Sequence, residues 1–99
     1  MQLTTEKNGS EMTVRLSGEL NAMTAPELSD LLDNELTDYI KELTLDYAEC
    51  DYVSSAGLRV LLATFKKMKA AGGSMHLANV GVNFKDVLEN TGLDAVFDM

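Results

Sequence analysis

Apolar and polar residues follow one another along this chain in two rhythms, and the changes of rhythm mark its elements. From Met12 to Ser17, Met12, Val14 and Leu16 share one face of an extended segment, and Thr13, Arg15 and Ser17 share the other. Leu43, Leu45 and Tyr47 alternate with Glu42, Thr44 and Asp46 in the same way, and Met75 and Leu77 enclose His76 in a further short strand. A weaker strand, Leu3 to Lys7, precedes Asn8-Gly9, a dipeptide suited to a tight hairpin turn. The first two strands are therefore expected to pair as a hairpin. Gly18 is expected to end the second, with Gly18-Glu19-Leu20-Asn21 forming the loop that leaves it.

Between these strands the period lengthens to that of a helix. Leu28, Leu31, Leu32, Leu36 and Ile40 make one buried stripe, with Asp30, Asp33 and Asp38 facing water. Thr24 and Glu27 have capping-box spacing, and Pro26 lies in the first turn, where its missing N–H costs nothing. Leu58, Leu61, Leu62, Phe65 and Met68 mark a second helix running to about Ala71. Lys66, Lys67 and Lys69 occupy its last turns, and Gly72-Gly73 stops it. A third helix, from about Gly81 to Asn90, buries Phe84, Val87 and Leu88. Thr91-Gly92 ends that helix, and Leu93, Val96 and Phe97 are expected to return the chain to the core.

The order is thus β-β-α-β-α-β-α. Right-handed crossovers between neighbouring strands place the main helices on one face. The alternation within the strands agrees, because a sheet covered on both faces shows continuous apolar runs. An α/β domain is expected, with a small mixed β-sheet and helices mainly on one face. Ninety-nine residues, 45% of them hydrophobic, suit one core, so residues 1–99 are read as a single domain.

Charge and composition narrow the function. Sixteen acidic residues against eight basic leave a net charge of −8, which argues against a nucleic-acid surface; the charge reads mostly as a solvated face, one that would also steer a basic partner. No apolar run approaches the ~20 residues of a membrane span, and the first residues lack a basic region followed by an apolar stretch. A lone cysteine, Cys50, forms no internal disulfide. These features point to a cytoplasmic protein, monomeric when free. Asp30 and Asp33 lack a histidine or third carboxylate to complete a metal site, so neither metal nor other cofactor is expected.

The candidate chemistry sits at the seam from Asp51 to Arg59, where the strand of Leu43–Tyr47 gives way to the second helix. Ser54 and Ser55 stand where the first helical N–H groups have no intrahelical partner. One serine serves as the cap. The other, beside small Ala56 and Gly57, leaves the turn open to a partner's active site, and a phosphate there would meet orphan donors and the positive end of the helix dipole. A hydrolase would need a base near Ser55. His76 is the only histidine, and both the Gly-x-Ser-x-Gly elbow and the phosphate-cradling Gly-x-x-x-x-Gly-Lys are absent. The chain is read as a non-enzyme.

The run Tyr52-Val53-Ser54-Ser55-Ala56-Gly57-Leu58-Arg59-Val60-Leu61-Leu62 resembles the signature of bacterial anti-sigma factor antagonists, the single-domain STAS family. Val14 to Asn21 resembles the family's strand ending in Gly-Glu-Leu-Asp, and Val87 to Val96 its Val-Leu…Thr-Gly-Leu ending. The resemblance implies a STAS-like fold and a partner switch. The unphosphorylated form binds an anti-sigma factor with serine kinase activity and frees a sigma factor. Phosphorylation then causes release, and a metal-dependent serine phosphatase resets the cycle. The family's Asp-Ser-Ser/Thr-Gly-Leu pattern places Ser55 at the phosphorylated position and Asn21, Ser54, Ala56, Gly57, Leu58 and Arg59 at the partner surface. Ser54 and Asn21 stand where the family often carries aspartate. An unphosphorylated scaffold subunit of a sensory complex is the alternative.

Overall fold

In the computed structural model, which describes residues 1–97, the sheet has four strands: β1 (Gln2–Asn8), β2 (Glu11–Leu20), β3 (Glu42–Val53) and β4 (Ser74–Ala78). Their spatial order is β1-β2-β3-β4. β1 and β2 pair antiparallel across a two-residue turn at Gly9-Ser10, one position beyond the expected Asn8-Gly9, because Asn8 still pairs with Glu11; β2–β3 and β3–β4 are parallel. The helices are α1 (Ala25–Glu35), α2 (Ser55–Ala70), α3 (Val82–Thr91) and the short α4 (Leu93–Val96). Met12, Val14, Leu16, Leu43, Leu45, Tyr47 and Met75 are buried on the helix side of the sheet. The intervening Thr13, Arg15, Thr44, Asp46 and His76 are half-buried or exposed on its polar side. The mixed sheet with helices mainly on one face is as the alternation implies.

Several boundaries differ from the sequence reading. β2 does not stop at Gly18 but continues through Leu20, because the elongated β3 offers it partners as far as Val53. That elongation contains two irregularities. Arg15, Ser17 and Glu19 pair with Asp46, Glu49 and Tyr52, so β3 carries an extra residue at each step. Its buried positions consequently run Tyr47, Cys50, Val53, with Ala48, Glu49, Asp51 and Tyr52 outside. α1 ends at Glu35, so Leu36 and Ile40 are buried from the connection to β3 rather than from the helix. Gly92, at φ +77°, turns α3 directly into α4, which the apolar spacing did not reveal. Phe97 then reaches the core and meets Phe65 edge-on at 5.6 Å, but Val96 stays exposed.

Candidate phosphoacceptor and partner site

The site lies at the C-terminal end of the parallel strands. Ser54 leaves β3 in an extended conformation (φ −85°, ψ 174°) and caps α2. Its Oγ accepts a hydrogen bond from Gly57 N at 3.3 Å, and its carbonyl accepts from Leu58 N at 3.0 Å. Its own N–H donates to Leu20 O at 2.8 Å, joining the end of β2 to the seam. Ser55 is the first helical residue and its side chain is exposed. Of the two serines, therefore, Ser54 is committed to the cap and Ser55 faces solvent.

Gly57 lies beneath this surface. A Cβ built on it would stand 2.8 Å from Leu20 Cγ and 3.0 Å from Val53 Cγ1, both on buried side chains, so the helix rests here directly on the ends of β2 and β3. Ala56 and Leu58 are half-buried, and Arg59 is exposed one turn along α2 from Ser55. Cys50 is buried just before the seam, its Sγ 3.6 Å from Tyr52 O. Burial pushes its thiol up, partly offset by hydrogen bonding to the backbone at Tyr52 and Leu20.

Asn21 forms the neighbouring wall. Its Oδ1 accepts from Met23 N at 2.9 Å and Thr24 N at 3.1 Å, closing an Asx-type turn. The expected Thr24–Glu27 capping box is not formed. Thr24 Oγ1 instead donates to Glu19 O at 2.6 Å and accepts from Asn21 N at 2.8 Å. The physical reason is competition. Thr24 has helix-like backbone angles (φ −98°, ψ −20°), which turn its hydroxyl to the preceding strand rather than over the helix mouth.

On the other side, α3 is tied to the end of β3. Asn83 Nδ2 donates to Asp51 Oδ2 at 2.9 Å, and a Cβ on Gly81 would collide with Asp51 Oδ1. The sequence singled out none of these three residues for a joint role, since the pairing spans some thirty positions. His76 is not brought to Ser55: it lies on the polar side of the sheet, opposite Thr44, with Ser74 Oγ 3.4 Å from its Nε2. Among the described residues no cluster of three metal-ligating side chains occurs, and no helix is long and apolar enough to cross a membrane. A groove of about 100 Å³ between α1 and α2, lined by Leu32, Asp33, Thr64 and Lys67 among others, lies one or more turns down α2 from Ser55.

This seam is set in a fold and a sequence that are both shared with known proteins. The STAS domain model matches residues 2–99. The chain belongs to the STAS domain family. The anti-sigma-B factor antagonist of Bacillus subtilis is 30% identical over 94 residues, covering 95% of this chain and 85% of that protein. An anti-sigma factor antagonist from Mycobacterium paratuberculosis superposes with a TM-score of 0.84 at 27% identity, over 97% of this chain and 81% of its own. SpoIIAA, a Bacillus anti-sigma factor antagonist, shares the fold at 17% identity, with TM-scores of 0.84 for its unphosphorylated form and 0.77 for its phosphorylated form. Each of those two alignments covers 95% of this STAS chain, with 84% and 86% of SpoIIAA.

Proposed function

We propose that this STAS domain is an anti-sigma factor antagonist, working in the cytoplasm as a monomer through a phosphorylation-controlled partner switch. Unphosphorylated, it binds an anti-sigma factor that is also a serine kinase and so frees a sigma factor. The kinase transfers phosphate to the Ser55 hydroxyl, which ends the contact, and a metal-dependent serine phosphatase removes it. The observation that supports this reading is the division between the serines, with Ser54 Oγ engaged by Gly57 N and Ser55 open to solvent. Relatives named as anti-sigma factor antagonists support the choice of partner.

The switch follows from charge. A phosphoserine brings about −1.5 to −2 units at neutral pH. Within the domain, the free N–H groups at the start of α2 accommodate it. Against a partner the same charge must be stripped of water or repelled, and each ~1.4 kcal/mol of mismatch costs tenfold in affinity. Incubation with the source organism's anti-sigma factor kinases and ATP, followed by mass spectrometry, tests the assignment. Ser55→Ala is expected to abolish labelling and retain binding, Ser55→Asp to lose binding, and Ser54→Ala to leave labelling intact. Phosphate found on Ser54 alone, or phosphoprotein that binds as well as the unmodified chain, refutes the switch. Binding with no phosphorylation of either serine identifies a scaffold instead.

A further inference from the structure

The chain has six asparagines, and the fold restrains five of them. Asn21 Oδ1 accepts from Met23 N and Thr24 N, while the amides of Asn79 and Asn83 donate to Asp46 and Asp51. Asn34 and Asn90 lie inside α1 and α3, where the helix fixes the backbone that follows them. Asn8 is the exception. It is the exposed last residue of β1, and its side chain makes no hydrogen bond among the described residues. Gly9 follows it, opening the turn into β2 at φ +61° with nothing within 4 Å of the place a Cβ would occupy. Among the described residues Gly9 N has no backbone acceptor, so that nitrogen is free to react.

We propose that Asn8 is a site of spontaneous deamidation in the folded protein, with water as the only co-reactant. Gly9 N attacks Cγ of the Asn8 amide, and no Cβ on the glycine obstructs the approach. The N–Cγ bond forms as the Cγ–Nδ2 bond breaks, and ammonia leaves with the Gly9 proton. Water then opens the cyclic imide. Addition at Cγ leaves aspartate; addition at the main-chain carbonyl leaves isoaspartate, whose backbone runs on through Cβ and Cγ. No electron is gained or lost.

The register decides what this does. Asn8 pairs with Glu11, and Glu11 with Glu42, in one row across β1, β2 and β3. The amide completes that row without charge, whereas aspartate sets three carboxylates side by side, and like charges opposite one another on neighbouring strands are unfavourable. Isoaspartate lengthens the main chain within the turn. The Ser10 carbonyl that accepts from Lys41 N at 2.8 Å and Glu42 N at 3.2 Å is then displaced from β3. Loss of ammonia makes the change permanent, so the hairpin at the pole opposite Ser55 records the age of the chain.

Storage of the full chain in mildly alkaline buffer, followed by peptide mapping with mass spectrometry, tests the site. Asn8 is expected to lose its amide, as a mixture of aspartate and isoaspartate, while the other five asparagines stay intact. Asn8→Gln should show no conversion at this position. A synthetic peptide spanning Glu6 to Met12 is run beside it as the unfolded reference. If the peptide converts and Asn8 of the folded chain does not, or if another asparagine converts first, the assignment is overturned. Asn8→Asp should melt about 1–5 °C below the wild type at low salt, with the gap closing as salt is added. An unchanged midpoint at low salt refutes the carboxylate row.

Discussion

Tyr47 is fully enclosed, its ring edge-on to Phe84 with centroids 4.8 Å apart, yet its hydroxyl has no hydrogen-bond partner among the described residues. Burial pushes that hydroxyl's ionisation well above its ordinary range. An unsatisfied buried hydroxyl costs about 1–3 kcal/mol, so Tyr47→Phe should stabilise the protein by roughly 1 kcal/mol. At this chain length that raises the thermal midpoint by about 4–8 °C. A lower midpoint in calorimetry would show that the hydroxyl has a partner. Gly57 presents the reverse case, a position with no room. Valine there must displace the enclosed Leu20 side chain, and overpacking of this kind costs typically 1–3 kcal/mol, with a few tenths more from poorer helix propensity. Gly57→Val is expected to lower denaturant stability by about 2 kcal/mol and to weaken partner binding by lifting α2 from the strands. Unchanged stability would refute direct contact between helix and sheet at this point.

Among the elements, β4 is short and ends at Ala78, and a side chain secures the turn beyond it. Asn79, at φ +55°, donates from Nδ2 to Asp46 Oδ1 at 2.9 Å, and Ala48 N donates to the same oxygen at 3.0 Å. These bonds, with a lesser contribution from Arg15, hold the Asp46 carboxyl below the usual carboxylate range despite some desolvation. Because the folded state binds this proton less readily than the unfolded chain does, the associated stability is present above the unfolded-state pKa and is lost as pH falls through the folded one. Asn79→Ala should move the Asp46 titration upward in an NMR pH series and flatten the acid limb of stability. An unmoved titration would mean that the backbone N–H of Ala48 dominates. The end of β3 is tied to α3 by the same device, a strand carboxylate held by an asparagine amide, through Asp51 and Asn83.

For the molecule as a whole, no ion pair among the described residues lies at the seam end, where Arg59 is exposed one turn along α2. Lys66, Lys67 and Lys69 lie in the last turns of α2, and Lys41 Nζ donates to Ala71 O at 2.9 Å, so much of the positive charge sits at the pole opposite Ser55. A negative charge added at Ser55 therefore meets the α2 N-terminus without breaking an ion pair among the described residues, whose three pairs are those of Lys7 with Glu35 and of Arg15 with Glu6 and Asp46. Ser55→Asp should change global stability by no more than about 0.5 kcal/mol. Its NMR shift changes should be confined to the α2 start and the adjoining Asn21 turn. Widespread changes, or a fall of several degrees in the thermal midpoint, would replace a local disruption of contact with a refolding mechanism.

The residue pattern by itself determined the alternation of strands and helices, the one-sided core and the seam carrying Ser54 and Ser55. Each of these depends on spacing within a single element, where the burial of one face is written as a period of 2 or 3.6. The same pattern left open which serine caps and which faces solvent, because both residue types suit either place. That was decided by the angles at which β3 delivers the chain to α2 and by the Leu20 carbonyl waiting for Ser54 N. Strict alternation through β3 would have put Glu49 and Asp51 inward. The two irregularities against β2 turned Cys50 into the core instead and left Glu49 and Asp51 outside. Asp51 met Asn83 for the same reason, whereas Asn21 took over the turn from Thr24 locally, through the backbone angles at Thr24. Register, bulges and long-range hydrogen bonds are properties of two segments at once, so the partner segment had to be in place before either side chain had a role.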